Sequence, residues 1–325
     1  MSEELKEKRK QHWLPASYLQ FFTTDPNEQH REGYLYRISA EGHRQVQVET
    51  QGVSKFHYRK QNTHQSEGLF QVLESDYPEL IRKAISEERL SSNEQCKLLL
   101  SIVALSCRNP SLTNQTGWEN WDVFVSLSNS FLANHLGVPP YSGEQKGLQL
   151  IANAIRRAQL INPLPLDGMP PDNEFKQMAH ILNFVGSTFH VAFIKNLGGK
   201  GSLFTSDFPT LFFSLDQLNV PLMLMPVTPS LLAVALDTRF FEVHHNWLSS
   251  KDFQLLQEFL LVQANKAFFA SAMCENDLHA LSEALRDRKV RSKGWVKTDV
   301  WQPIMYSYSR LLKQRGGFDF LTSRE

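Results

Sequence analysis

Three polar residues in separate parts of the chain have side chains suited to hydrolysis, namely His12, Arg108 and Asp207. An imidazole titrates near neutral pH, so His12 could act as a general base or a metal ligand. Arg108 could clamp an anion or a phosphate group, and Asp207 could ligate a cation or orient His12. If the three met in one cleft, they would form the catalytic residues of a hydrolase acting on a phosphodiester or nucleotide substrate.

The same residues also have a structural interpretation. His12 lies among aromatic residues and a proline, where its ring could bind backbone carbonyls and anchor the N-terminal segment. Arg108 follows an apolar helix, and a guanidinium there neutralises the helix dipole and binds exposed carbonyls. Asp207 could form an Asx-turn, with Ser206 satisfying the next backbone groups. Under this interpretation the chain is a non-catalytic binding or interaction module.

Further candidates would bind the substrate or a partner. Ser206 and Asn265 would join the cleft as substrate-binding residues. Ser206 is not expected to be the nucleophile, because it lacks the Gly-x-Ser-x-Gly context of a hydrolase nucleophile. Residues 286–297 contain six basic side chains and one acidic one, with Trp295 among them. Lys293 and its neighbours could grip phosphates while Trp295 stacks on a base, which predicts a nucleic-acid or nucleotide partner. The alternative is an ordinary solvated helix end and loop.

No motif in the sequence specifies a cofactor. The chain lacks His-Glu-x-x-His, Walker, Gly-x-Gly-x-x-Gly and His-x-Glu deaminase patterns. A divalent cation at Asp207 fits the hydrolase hypothesis, but the sequence leaves its ligands unknown. His244 and His245 are adjacent, and neighbouring residues point in different directions, so the sequence does not predict a metal shared between them.

Composition narrows the function classes. The chain has 325 residues with 34 basic and 34 acidic side chains, so a global attraction to nucleic acid or anionic membrane is not expected. Cys96, Cys107 and Cys274 are far apart, which is typical of a reducing compartment. The first residues are charged rather than apolar, and no apolar run approaches about 20 residues. We therefore expect a cytoplasmic protein that does not associate with membranes, and the oligomeric state stays open.

The elements that would position these residues begin after residues 1–10, which we interpret as a charged flexible leader before one globular domain over 11–325. Alternating apolar residues around Glu41-Gly42 predict a β-hairpin within residues 33–50. A helical part covers about 68–188. In it, Ser91 or Ser92 with Glu94 or Gln95 three residues later predicts a capping box at the start of an apolar helix. Further helices are predicted at 121–135, 148–159 and 174–189.

A β-rich part is expected over about 189–240, where short apolar runs alternate with Gly and Pro. The predicted strands cover 189–194, 203–205, 211–214, 222–227 and 231–236, and short connections favour antiparallel pairing. C-terminal helices follow over about 249–325, one from Ser249 to about Met273 and another over 277–285. The predicted fold class is α+β, predominantly helical, with a small antiparallel sheet in the C-terminal half and an N-terminal β-hairpin.

Four segments, in order along the chain, resemble domain-of-unknown-function family 4238. They are His12–Phe22, Arg108–Pro110, Phe204–Pro209, and Pro226–Pro229 with Asn265 downstream. The third is similar to the family's Thr-Ser-Asp-Asn-Pro, except that Phe208 stands where that family usually has Asn. The resemblance implies no particular reaction, because the family has no established activity. A role in a defence or stress system is a contextual hypothesis that rests on no residue.

Overall fold

The computed structural model of the protein describes residues 10–12, 14–25, 32–55, 75–107, 189–197, 201–215, 220–238, 241–264, 266–271, 275–291 and 312–323. Within these ranges the strands form two four-stranded sheets and two two-stranded ribbons. Helix and strand contribute comparably, so the prediction of a predominantly helical fold with one small sheet is wrong. The helices predicted within 121–188 lie outside the described residues.

The strands, in chain order, are β1 (Lys10–His12), β2 (Tyr34–Ser39), β3 (Gly42–Gln47), β4 (Val53–Lys55), β5 (Phe189–Lys195), β6 (Thr205–Ser206), β7 (Leu211–Leu215), β8 (Val220–Thr228), β9 (Leu231–Asp237), β10 (Phe241–Val243), β11 (Ala267–Ala270) and β12 (Leu321–Ser323). The helices are α1 (Ala16–Leu19, continued by a 3-10 turn over Gln20–Phe22), α2 (residues 75–85), α3 (Ser92–Cys107), α4 (Ser250–Gln263) and α5 (Glu275–Arg291). A 3-10 turn, Val48–Thr50, precedes β4.

Sheet I has the strand order β3-β2-β11-β6, with antiparallel pairing throughout. Its first two strands are the predicted hairpin. The other two come from distant parts of the chain. The sequence analysis placed β11 inside a helix running to about Met273, but α4 ends at Gln263 and the chain turns extended at Ala264. All four residues of β11 are buried, and its backbone pairs with β2 on one side and β6 on the other.

Sheet II has the order β5-β9-β8-β7, again antiparallel. Its strands coincide with the apolar runs predicted as β-structure, and a two-residue turn joins β8 to β9. The register shifts between Pro226 and Thr228. A proline inside a strand is tolerated at such an irregularity, because it cannot donate to the ladder.

The capping box predicted for the apolar helix is confirmed at the start of α3. The Ser91 amide donates to Glu94 Oε2 at 2.8 Å, and the Glu94 amide donates back to Ser91 Oγ at 3.4 Å. One residue later, Gln95 Oε1 accepts from the backbone amide of Val191 in β5. Helix α3 therefore lies beside an edge strand of sheet II and satisfies one of its outer amides.

The two sheets separate two apolar clusters, because successive residues of a strand point to opposite faces. In sheet I, Leu35 and Phe269 join the first cluster, to which α1, α2 and α3 contribute. Ile38 and Phe268 join the second cluster, to which α4 and α5 contribute. The ribbons β1–β4 and β10–β12, which the sequence analysis did not predict, lie outside the two sheets.

Candidate functional site

Three of the four family-like segments meet at the hydroxyl group of Tyr18. This hydroxyl donates to the Pro226 carbonyl at 2.7 Å and lies 2.5 Å from Thr205 Oγ1. Because the single phenolic hydrogen goes to the carbonyl, Thr205 is the donor in the second bond. Burial raises the pKa of Tyr18 well above its ordinary value, and the Thr205 hydrogen bond opposes that rise without cancelling it. The neutral hydroxyl thus ties α1 to β6 and to β8.

The candidate residues Ser206 and Asp207 follow directly in the chain, and both are buried. Ser206 Oγ accepts from the Phe208 amide at 3.1 Å and donates to the Phe208 carbonyl at 2.7 Å. Asp207 Oδ2 accepts from the Lys266 amide at 2.7 Å, while the Asp207 amide donates to the Ala267 carbonyl at 3.0 Å. Asp207 therefore holds the end of β6 against the connection between α4 and β11, and Ser206 stabilises the turn that follows β6.

Gln263, the last residue of α4, fixes the other side of the same loop. Its Nε2 donates to the Phe208 carbonyl at 3.1 Å and to the Thr210 carbonyl at 2.5 Å. The Thr210 hydroxyl in turn donates to the Ile102 carbonyl of α3 at 3.4 Å. The loop that follows β6 is thus bound to helices on both sides of the sheets.

Of the predicted catalytic set, the structure describes the side chain of Asp207 alone. The backbone of His12 lies in β1 opposite Val53. The side chain of His12 and the whole of Arg108 lie outside the described residues. The same holds for the substrate-binding candidates Asn265, Lys293 and Trp295. The convergence of His12, Arg108 and Asp207 therefore stays a prediction.

No group of three or more His, Cys, Asp or Glu side chains with metal-binding geometry occurs in the described part of the chain. Elsewhere, the ring of His245 stacks on Trp247 with centroids 4.1 Å apart, and its Nδ1 lies 2.9 Å from the Trp247 carbonyl oxygen. Desolvation, together with the nearby positive charge of Arg89, lowers the pKa of His190.

Sequence reasoning missed one further pair of charged residues. Arg37 of β2 and Arg44 of β3 are directly opposite each other in the hairpin, so their side chains leave the same face of sheet I. Neither arginine was predicted from the sequence to form a site. Their juxtaposition depends on the strand register. Counting residues outward from the predicted turn at Glu41-Gly42 would have shown that Arg37 faces Arg44.

The comparisons with known proteins support the resemblance for part of the chain. Residues 10–137 match the family model described as "Protein of unknown function (DUF4238)". The resemblance stated from the sequence is confirmed for this region, which includes the first two family-like segments. The Phe204–Pro209 and Pro226–Pro229 segments lie beyond it. No curated protein and no solved structure matches the chain.

No helix in the described residues has both the length and the hydrophobicity to cross a membrane.

Proposed function

We propose that the chain is a non-catalytic binding module for nucleic acid or a nucleotide, in which Ser206 and Asp207 stabilise the fold. The observation that supports a structural role for Asp207 is the 2.7 Å hydrogen bond that its Oδ2 accepts from the Lys266 amide, in a residue that is only 4% exposed. A carboxylate that accepts a hydrogen bond from a backbone amide of another segment is suited to holding a loop. Ser206, bonded to Phe208 on both its donor and its acceptor side, has the same role.

The proposed partner surface begins on α5. Leu278 and Leu285 are buried and anchor the first part of this helix against sheet I. From Arg286 onward the helix carries four basic residues and one acidic residue up to its end at Arg291. Arg286 is engaged by the fold, since its Nε donates to the Ala40 carbonyl at 3.2 Å. The other basic residues of 286–291 are Arg288, Lys289 and Arg291, and in sequence they directly precede the predicted contact residues Lys293 and Trp295.

Binding is tested by fluorescence anisotropy with a labelled single-stranded oligonucleotide over a range of salt concentrations. The variant R288Q/K289Q/R291Q should bind at least about tenfold more weakly and show a shallower salt dependence. Trp295→Ala tests the predicted stacking contribution separately. The matched control replaces three exposed cations elsewhere, R82Q/K266Q/K313Q, with the same change in net charge. Equal losses in the two triple variants would contradict the assigned surface.

The hydrolase hypothesis is the competing outcome, and Asp207 separates the two. Wild type, Asp207→Asn and Asp207→Ala should be screened for hydrolase and nuclease activity with divalent metals, and their free energies of unfolding measured. We expect no activity above background. We expect Asp207→Ala to lose about 1–3 kcal/mol of stability, and Asp207→Asn, which keeps an acceptor oxygen, to lose less. A wild-type phosphodiesterase activity that disappears in a stably folded Asp207→Asn protein would overturn the non-catalytic proposal.

A further inference from the structure

The Arg37–Arg44 pair is a concentration of positive charge that the described fold leaves unneutralised. Arg37 is half-buried and Arg44 is exposed on the edge strand of sheet I. In the described part of the chain, neither guanidinium lies within ion-pair distance of a carboxylate. Phe269 is the partner of Arg37 on β11, so the inner side of the pair adjoins buried apolar surface.

Like charges directly opposite each other destabilise a pair of strands, whereas opposite charges stabilise it. A charged residue on an edge strand protects against unwanted strand pairing, but an acidic residue at position 44 would serve this purpose equally and would also pair with Arg37. Two arginines instead leave a repulsion that an external anion would relieve. The half-buried position of Arg37 strengthens attraction to such an anion, because the local dielectric constant is lower than in water.

We propose that Arg37 and Arg44 form a binding site for the phosphate group of a phosphomonoester. The two guanidiniums carry two positive charges, which match the charge of about −1.5 to −2 on a phosphomonoester at neutral pH. Each guanidinium also presents a planar fork of donors that fits phosphate oxygens in a bidentate manner.

This site is independent of the proposed function. Helix α5 packs against the opposite face of the hairpin, where His43 Nε2 lies 2.9 Å from Glu275 Oε1 and Ile38 belongs to the cluster that contains Leu285. The residues tested for nucleic-acid binding are therefore not those of the phosphate site, and each proposal can fail without the other.

The test combines isothermal titration calorimetry with thermal unfolding of the full chain, at constant ionic strength maintained with chloride. The probes are inorganic phosphate, glycerol 2-phosphate, and acetate as a carboxylate control. Oligonucleotides with and without a 5′-phosphate distinguish a nucleic-acid end from a small phosphomonoester as the source of the phosphate group. Wild type should bind the phosphate-bearing probes, with a matching rise in Tm, and should bind acetate much more weakly.

The decisive variant is Arg44→Glu, which converts the like-charge pair into an ion pair. It should unfold at a higher Tm than wild type in phosphate-free buffer and should bind phosphate at least about tenfold more weakly. Arg44→Lys keeps the charge but loses the planar fork, so its affinity should lie between those of wild type and Arg44→Glu. The control Arg82→Glu makes the same exchange at an exposed position of α2 and should keep the wild-type response.

The proposal is overturned if phosphate fails to bind wild type, if Arg44→Glu keeps the wild-type affinity, or if acetate binds as tightly as phosphate. A gain in Tm for Arg44→Glu without any loss of phosphate binding would show that the pair is merely repulsive. Normal phosphate binding by R288Q/K289Q/R291Q is expected, and its loss would contradict the independence of the two surfaces.

Discussion

Sheets I and II are assembled in different ways from the same chain. Strands β7, β8 and β9 of sheet II follow one another within residues 211–237, and residues 222–228 and 231–236 are buried throughout. Sheet I joins a hairpin near the N-terminus to two short strands at 205–206 and 267–270. Local apolar pairing holds sheet II together, whereas sheet I requires segments that are more than 160 residues apart to meet.

The difference appears in the polar contacts at the edges of sheet I. The Tyr18 hydroxyl bonds to Thr205 and Pro226, and Asp207 bonds to the amide of Lys266, at the two ends of the short strand β6. A two-residue strand makes few ladder bonds of its own, so these side-chain contacts supply much of its positional specificity. The candidate site residues of the third segment thus belong to the stabilisation of a non-local sheet.

The largest expected effect comes from removing the aromatic core of β11. Phe268 is fully buried and packs edge-to-face on Phe204 with ring centroids 5.0 Å apart. Phe268→Ala should lower the free energy of unfolding by about 3–5 kcal/mol, measured by urea denaturation. Because β11 lies between β2 and β6, hydrogen exchange should also accelerate in both neighbouring strands while β8 and β9 keep their protection.

Phe213→Ala is the matched change in sheet II. Phe213 is also fully buried, and it packs edge-to-face on Phe259, but it lies on β7 at the end of the strand order. Its loss of stability should be no larger than that of Phe268→Ala, and its exchange effects should stay near β7. If Phe213→Ala proved clearly more damaging, β11 would not have the central position that distinguishes sheet I.

A substitution at Gly52 tests how closely the N-terminal segment packs at Leu14. It has a φ of +63°, and a Cβ there would lie 2.5 Å from both the Cβ and the carbonyl oxygen of Leu14. Gly317 has a similar φ of +71° with nothing within 4 Å of the added atom. Gly52→Ala should therefore cost about 1–3 kcal/mol more than Gly317→Ala in thermal or urea unfolding. Equal losses would mean that Leu14 can move away freely.

A smaller effect is expected from single hydroxyl groups. Tyr18→Phe leaves the Pro226 carbonyl and the Thr205 hydroxyl without their partner, so we expect a loss of about 1–3 kcal/mol. Tyr77 packs beside Tyr18 with ring centroids 6.0 Å apart, and its buried hydroxyl has no hydrogen-bond partner in the described structure. Tyr77→Phe should be neutral or stabilising by the same measurement. A larger loss for Tyr77→Phe than for Tyr18→Phe would contradict the assigned role of the Tyr18 contacts.

Strands with a clear local hydrophobic pattern were predicted correctly from the sequence. The strands of sheet II are apolar runs bounded by Pro and Gly, and the hairpin has clear alternation. Strand β11 was missed because Ala267, Phe268, Phe269 and Ala270 are apolar on both faces, which removes the alternation that marks a half-buried strand. Its neighbours in the sheet lie far away in sequence, and no local pattern encodes which segments meet.

At the candidate site, too, local contacts could be predicted from the sequence and long-range contacts could not. A turn-forming role for Ser206 and Asp207 was among the interpretations open from the sequence, because such turns involve neighbouring residues. The role of Tyr18 was not anticipated, since Thr205 is 187 positions away. Tyr18 nevertheless lies in the first family-like segment. Its hydroxyl group, in a mostly apolar stretch, was the signal in the sequence for a long-range hydrogen bond.

The smallest expected effect lies at the capping box of α3, beside sheet II. The Lys83 side chain, followed by the Ser91 amide and hydroxyl, holds the pKa of Glu94 down at about 2, against an ordinary value of 4.5. A carboxyl whose pKa is lowered by folding adds stability that is fully present above its unfolded pKa. That stability is lost as the pH falls from about 4.5 toward about 2. Glu94→Gln should remove this contribution, so its Tm should fall less steeply than that of wild type across this window.

Glu79→Gln is the control, since Glu79 also contacts Lys83, with an Oε1–Nζ distance of 3.4 Å, but caps no helix. Its acid profile should follow the wild type more closely than that of Glu94→Gln. If the two variants had the same profile, the interaction with Lys83 rather than the cap would control the acid response. The capping box would then contribute through its geometry alone. The capping box, which is easily predicted from the sequence, would in that case contribute little electrostatic stabilisation. The long-range hydrogen bonds of Tyr18 and Asp207 at sheet I would then be the more important polar contacts.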